Sequence, residues 1–179
     1  NLPGEAAILL LDIEKAFDRV SHGSILAALS AASPNNDFIN FVKRWCSGNS
    51  TKLFVNGSLS SPVPLCKGVR QGDPLSPLLF NVALELLFKR LQAEIRGLPP
   101  TSNGIVLKYQ VYADDTAIFC NDESDVAKVL EILRDFELAT GTRVNQNKCC
   151  LITSNPTIYG QVAPHIPLLK DTPPFPDRI

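Results

Sequence analysis

Methionine is absent from this chain of 179 residues, tryptophan occurs once, histidine twice, and neither sign of charge is in excess, the formal net charge being −1. No overall basic field therefore advertises nucleic acid as a partner. The five cysteines, Cys46, Cys66, Cys120, Cys149 and Cys150, form an odd set without a C-x-x-C pair. With only His22 and His165 beside them, no zinc-ligand pattern can be assembled, and they read as unbridged thiols of a reducing, intracellular compartment. No apolar run is long enough to span a bilayer, and no charged-then-apolar leader opens the chain, so no membrane is expected. The lack of methionine, with an apolar strand starting almost at once, is the pattern of a segment excised from a longer protein.

What is present is 45% apolar and 20% charged, the balance of one globular domain with a real core. The run AAILLLDI from Ala6 is short, continuous and apolar, a buried strand that delivers Asp12 at its end. Residues 24–32 and 37–46 show helical spacing around the break Pro34-Asn35-Asn36, with Phe38, Phe41, Val42 and Trp45 on one face of the second helix. Residues 51–55 and 62–65 flank Asn56-Gly57-Ser58 turn chemistry and predict a hairpin. A long helix is expected over residues 76–96, where Ser76 can cap the free amides and Pro77 suits the first turn.

VLKYQVYADDTAIFC then predicts two strands around a tight turn at Asp114-Asp115, with Leu107, Tyr109 and Val111 alternating with Lys108 and Gln110 as in a half-buried strand. Ser124 opens a last helix that Gly141 ends. This order of strand, helices, hairpin, helix, hairpin and helix is an α+β pattern. Beyond Asn155, six prolines deny the chain regular elements of any length. The expected division is a domain over residues 1–153 and a Pro-rich irregular tail over residues 154–179.

Asp114 and Asp115 lie at a predicted hairpin tip between apolar strands, and Asp12 ends another such strand. Adjacent strands would bring the three carboxylates together. Carboxylates gathered in this way repel one another and call for a cation, with Mg2+ the usual answer when substrate phosphates complete its octahedron. Two such ions roughly 3.5–4 Å apart would activate a 3′-hydroxyl and stabilise a leaving pyrophosphate, which is nucleotidyl transfer. An Asp-Asp pair alone is more often a plain turn, because Asp hydrogen-bonds its own backbone there.

Four segments in order, LLLDIEKAFDRV, GVRQGDPLSPLLF, YADD and GTRVNQNK, change that balance. They resemble the palm motifs of reverse transcriptases, and the wording of the second is similar to LINE-type, non-LTR retrotransposons. The likeness covers about residues 6–152. It implies a reverse-transcriptase palm, a small antiparallel sheet backed by helices, with fingers and thumb largely missing and a segment inactive by itself. The implied activity is RNA-directed DNA polymerase, and the implied partners are an RNA template, a DNA primer, deoxynucleoside triphosphates, and the fingers, thumb and endonuclease regions of a parent polyprotein. By resemblance alone the compartments are nucleus and cytoplasm.

Residue by residue, the resemblance makes Asp12, Asp114 and Asp115 the metal ligands, with two Mg2+ ions or Mn2+ as the alternative, and the Ile13 carbonyl part of the nucleotide site. Phe17 matches the aromatic position under the incoming sugar, where a 2′-hydroxyl would collide with the ring; taken alone it is an ordinary core aromatic. Gln71 and Gly72 match the motif along template and nucleotide, Gly72 permitting close backbone approach. The plainer account of that loop is a connection whose Asp73 and Ser76 cap the next helix, and both can hold together. Tyr112 falls beside primer or template and is equally a strand aromatic. Arg70, with Lys67, could meet phosphates or simply be solvated. Lys148 matches the basic residue that would protonate departing pyrophosphate, although a lysine after a turn is more often only exposed. Asp18, Glu14 and Lys15 fit the pattern without a chemical role. A different palm polymerase, such as a telomerase or intron maturase, is disfavoured by the second motif, and a non-catalytic remnant serving as an RNA-binding or scaffold module is the remaining alternative.

Overall fold

The apolar run at residues 6–11 forms strand β1, Ala7–Leu11, and lies at the centre of a five-stranded sheet. The other strands of that sheet are β6 (Tyr109–Tyr112), β7 (Asp115–Cys120), β8 (Cys150–Thr153) and β9 (Leu168–Leu169), in the order β6-β7-β1-β8-β9. β1 is antiparallel to both neighbours, Leu9 facing Ile118 on one side and Leu151 on the other. In the computed structural model, residues 4–32, 35–100, 102–112, 115–153, 155, 159–161 and 163–169 are described. The chain forms two compact units, residues 1–14, 87–135 and 144–179 in one and residues 15–86 and 136–143 in the other.

In the first unit one face of the sheet is dry. Ala7, Leu9 and Leu11, then Thr116, Ile118 and Cys120, then Leu151 are all buried, the every-second-residue pattern of a strand with one face on a core. Helices supply the rest of that core: Leu87 and Leu91 from α4 (Ser76–Glu94), and Val126, Val129, Ile132 and Leu133 from α5 (Glu123–Thr140), are buried as well. Burial pushes the Cys120 thiol up to about 12, helped by Asp125 and Asp122. β6 departs from the expected half-buried alternation. As the edge strand it leaves Val111 exposed and Tyr112 82% exposed, because a lone edge has a neighbour on one side only.

A carboxylate ties both ends of the hairpin strands to the helices. Asp125, buried near the start of α5, accepts the main-chain N–H of Arg96, Gly97 and Asn121, each at 3.0 Å. Gly97 (φ 76°) passes so close to the segment before β6 that a Cβ there would stand 2.5 Å from the Leu107 carbonyl oxygen. The helix cap is Asp122, which accepts from Ser124 N at 3.0 Å, so α5 opens one residue before the expected Ser124. The Pro-rich stretch contributes more than a loose end: β9 runs parallel to β8, Tyr159, Ala163 and Ile166 are buried, and the Tyr159 hydroxyl donates to the Glu5 carbonyl.

In the second unit α1 (Ala16–Arg19), α2 (His22–Ala32) and α3 (Asn36–Cys46) follow one another. Asn35 caps α3 by accepting from Phe38 N at 3.1 Å. The buried side of α3 is Val42 and Cys46, whereas Phe38 and Phe41 are exposed and stack on each other with centroids 6.3 Å apart. The expected face was thus displaced by about one position around the helix. The predicted hairpin forms as two short ladders, β2 (Ser50–Thr51) with β5 (Val63–Pro64) and β3 (Phe54–Val55) with β4 (Ser58–Leu59). Its turn places Asn56 and Gly57 at φ 48° and 82°, the left-handed pair that a two-residue hairpin requires. Ser76 does not cap α4. Asp73 does, accepting from Leu75 N at 2.8 Å through its side chain and from Ser76 N at 3.1 Å through its carbonyl, while the Ser76 hydroxyl is buried without a hydrogen-bond partner among the described residues.

Candidate active site

Asp12 follows directly on β1 and Asp115 begins β7. The β1–β7 register pairs Ala7 with Cys120 and Leu11 with Thr116, so one further step sets Asp12 across from Asp115. On its other side Asp115 pairs with Tyr112 of β6. Two strands distant in sequence thereby deliver two carboxylates to one end of the sheet, with Asp12 half-buried and Asp115 exposed. Asp114 and Ala113, at the tip of the hairpin, lie outside the described residues.

The main chain around Asp12 is held by the segment that precedes β8. The Asp12 carbonyl accepts from Asn145 N at 2.9 Å, its N–H donates to Cys149 Sγ at 3.4 Å, and Ile13 forms an isolated antiparallel bridge with Val144. Lys148 stands exposed in the same turn, its N–H bonded to the Asn145 carbonyl at 2.9 Å. Carboxylate oxygens with a nearby backbone carbonyl are a hard, all-oxygen donor set, which suits a magnesium-type ion better than a soft one. Among the described residues, which leave out Asp114, no three His, Cys, Asp or Glu side chains gather into a metal cluster.

The second unit carries the remaining sequence-predicted residues. Phe17 is half-buried and stacks on Phe80, with ring centroids 4.9 Å apart; one face is packed and the ring is not sealed in a core. The strip before Gln71 is bound to the strip containing Phe17: Gly68 N donates to the Val20 carbonyl and Val69 N to the Phe17 carbonyl, each at 2.7 Å. His22 Nε2 lies 2.8 Å from the Gly68 carbonyl. Gly68 (φ 81°) is required, since a Cβ would stand 2.7 Å from the Asp18 carbonyl oxygen. Gly72 (φ 87°) has open space where a Cβ would be, and Gln71 beside it is exposed.

Arg70 donates to Asn49 Oδ1, and Asn49 Nδ2 donates to the Trp45 carbonyl at 2.6 Å. Together with His22, Lys67 and Gln71 these residues line a cleft of about 580 Å³. Asn49, His22, Asn145 and Cys149 were not singled out by the sequence. Asn49 meets Arg70 across 21 residues, His22 meets Gly68 across 46 and Cys149 meets Asp12 across 137, and no local pattern signals such partners.

The chain is similar to known proteins. A family profile for reverse transcriptase (RNA-dependent DNA polymerase) matches residues 1–163, and the chain belongs to that family. The Retrovirus-related Pol polyprotein from type-2 retrotransposable element R2DM of Drosophila melanogaster is 34% identical over 139 residues, 78% of this chain and 13% of that protein. Transposon TX1 uncharacterized 149 kDa protein of Xenopus laevis is 32% identical over 79% of this chain and 11% of its own length. The RNA-directed DNA polymerase from mobile element jockey of Drosophila melanogaster is 29% identical over 80% of this chain and 16% of its own length.

The LINE-type reading of the motifs therefore stands, and the chain spans only a small share of the relatives it matches. A structure of apo telomerase from Candida tropicalis, truncated from the C-terminal domain, superposes with a TM-score of 0.60 over 84% of this chain and 31% of that one, at 16% identity. So distant a likeness shows the fold, α+β, and nothing of telomere chemistry. No helix among the described residues is long and apolar enough to cross a membrane.

Proposed function

We propose that the protein containing this chain is an RNA-directed DNA polymerase of a LINE-type retrotransposon, with residues 1–153 as the palm of its polymerase and residues 154–179 as a Pro-rich segment beyond it. The supporting observation is the β1–β7 register, which sets Asp12 opposite Asp115 at the end of the sheet. Its partners are an RNA template, a DNA primer and deoxynucleoside triphosphates, acting with fingers, thumb and endonuclease regions of the polyprotein, in the nucleus and cytoplasm.

Family members generally work with divalent metal ions. Here Asp12, Asp114 and Asp115 would hold two Mg2+, with Mn2+ as a substitute, and the Ile13 carbonyl borders the same place. When bound, the ions lower the cost of forming a 3′-oxygen nucleophile and of releasing pyrophosphate. The protein's own groups do the rest. Phe17, backed by Phe80, lies under the incoming sugar and leaves no room for a 2′-hydroxyl. Gln71 and Gly72 bring a hydrogen-bonding amide and an unobstructed backbone to template and nucleotide. Arg70 and Tyr112 border the nucleic-acid strands, and Lys148 supplies a proton to the departing pyrophosphate.

Primer extension on an RNA template by the full-length protein tests this. Asp12→Asn and Asp114→Asn should abolish synthesis with circular dichroism unchanged, and Asp115→Asn should be damaging to a lesser degree. Near-normal synthesis by either of the first two variants would remove the metal assignment.

A further inference from the structure

We propose that Cys149 is the positioning residue of Asp12: its buried thiol holds the Asp12 main chain at the point where β8 no longer can. This rests on the metal-binding reading of Asp12 given above.

The β1–β8 register pairs Leu10 with Cys150, and two further steps would set Asp12 across from residue 148. The ladder does not reach that far. Lys148 N and Cys149 N both turn inward to the Asn145 carbonyl at 2.9 Å, so β8 begins only at Cys150. The turn leaves the Asp12 N–H without a carbonyl from a continued strand, and Cys149 Sγ takes the place, 3.4 Å from Asp12 N and 3.8 Å from Asp12 O. Asn145 N holds the same carbonyl at 2.9 Å. Both polar groups of the Asp12 main chain are thus fixed by one turn, residues 145–149.

Cys149 is 1% exposed, so water has little access to replace the thiol on the Asp12 N–H. An unmet N–H in such a place is relieved by moving the chain, and the carboxylate moves with it. A thiol suits the position because one atom weakly accepts from the N–H and weakly donates to the carbonyl, at a reach longer than oxygen has.

The partners that orient a metal ligand typically contribute about 10–100-fold in metal affinity. A weak hydrogen-bonding group such as a thiol belongs at the low end. Mn2+ binding to this chain, followed by electron paramagnetic resonance of the free ion, reads the effect without any need for turnover. Cys149→Val keeps an apolar group of similar bulk and removes donor and acceptor; it should weaken Mn2+ binding about tenfold. Cys149→Ser restores both functions and should stay within about threefold of the parent. Packing alone predicts the reverse order, valine near the parent and serine worse.

Should valine fail to fold, Cys149→Ala must show the same metal defect. In the full-length protein the Mg2+ concentration for half-maximal extension should shift in parallel, with KM for deoxynucleotide unchanged. If Asp12→Asn loses Mn2+ binding but Cys149→Val and Cys149→Ala bind like the parent, the positioning role is overturned and the metal site stands. If Asp12→Asn binds Mn2+ undiminished, the metal reading falls and the role of Cys149 falls with it.

Discussion

Removing the Asp125 carboxylate should loosen the far end of the hairpin that carries the third motif. Oδ1 accepts from Arg96 N at 3.0 Å and from Arg96 Nε at 3.4 Å, while Oδ2 accepts from Gly97 N and Asn121 N, each at 3.0 Å. The residue is 3% exposed. Residues 96–97 lead toward β6 and Asn121 follows β7, so one carboxylate joins the two chain ends of the hairpin to the start of α5. In Asp125→Asn a single oxygen must replace two, and the amide NH2 turns against donors that were bonded. Orphaned buried donors cost about 1–3 kcal/mol each, so with two affected the expected loss is about 2–6 kcal/mol at pH 7. Arg96 itself is 58% exposed at the side chain. Its ion pairs are therefore worth about 0–1 kcal/mol, and Arg96→Ala, which keeps the main-chain N–H, is the mild control.

The acid limb gives a second readout. Burial pushes the Asp125 carboxyl up, but the N–H groups of Asn121, Arg96 and Gly97 and the Arg96 charge outweigh it and hold it below the usual range. A folded pKa below the unfolded value of about 3.9 means that the ionised group stabilises the fold at higher pH. That contribution is lost as pH falls through the folded value. The gap between parent and Asp125→Asn in urea midpoint should be full at pH 7 and shrink below about pH 4. A variant within about 0.5 kcal/mol of the parent at pH 7, or a gap that does not change with pH, would refute this account.

Two predictions concern the chemistry. Phe17→Val or Phe17→Ala should leave deoxynucleotide incorporation within about tenfold of the parent and raise ribonucleotide incorporation relative to it; a ratio of the two kcat/KM values that does not fall would return Phe17 to a packing role against Phe80. Lys148→Leu should slow the chemical step by about 10²–10⁴-fold if the side chain gives its proton to pyrophosphate, and an unchanged rapid-quench rate would leave it a solvated turn lysine.

The sequence by itself determined the order of elements from β1 to α5, apart from the single turn α1, and the places of Asp12 and Asp115 at strand ends, whereas β8 and β9 carried no local signal. Strand β1, the Asn56-Gly57 turn and the stop of α5 at Gly141 were legible because each depends on a few neighbouring residues: an apolar run, a pair tolerant of positive φ, a glycine after a periodic face. The four motifs were legible for the same reason, being short and ordered. What the tertiary structure decided was every relation between distant segments. The meeting of Asp12 with Asp115 depends on a register between strands more than a hundred residues apart.

Of the two caps that local pattern offered for α4, Asp73 prevailed over Ser76, and Asp122 took the place of Ser124 two residues later, because each carboxylate already satisfies a first-turn amide. The exposure of Phe38, Phe41 and Tyr112 was set by which side of an element has a neighbour, and side-chain periodicity does not name the neighbour. The thiol beneath Asp12 exists only because β8 starts too late to complete its ladder. Local periodicity carries information over one or two turns of chain, whereas register, capping competition and edge exposure are settled only when the strands and helices pack.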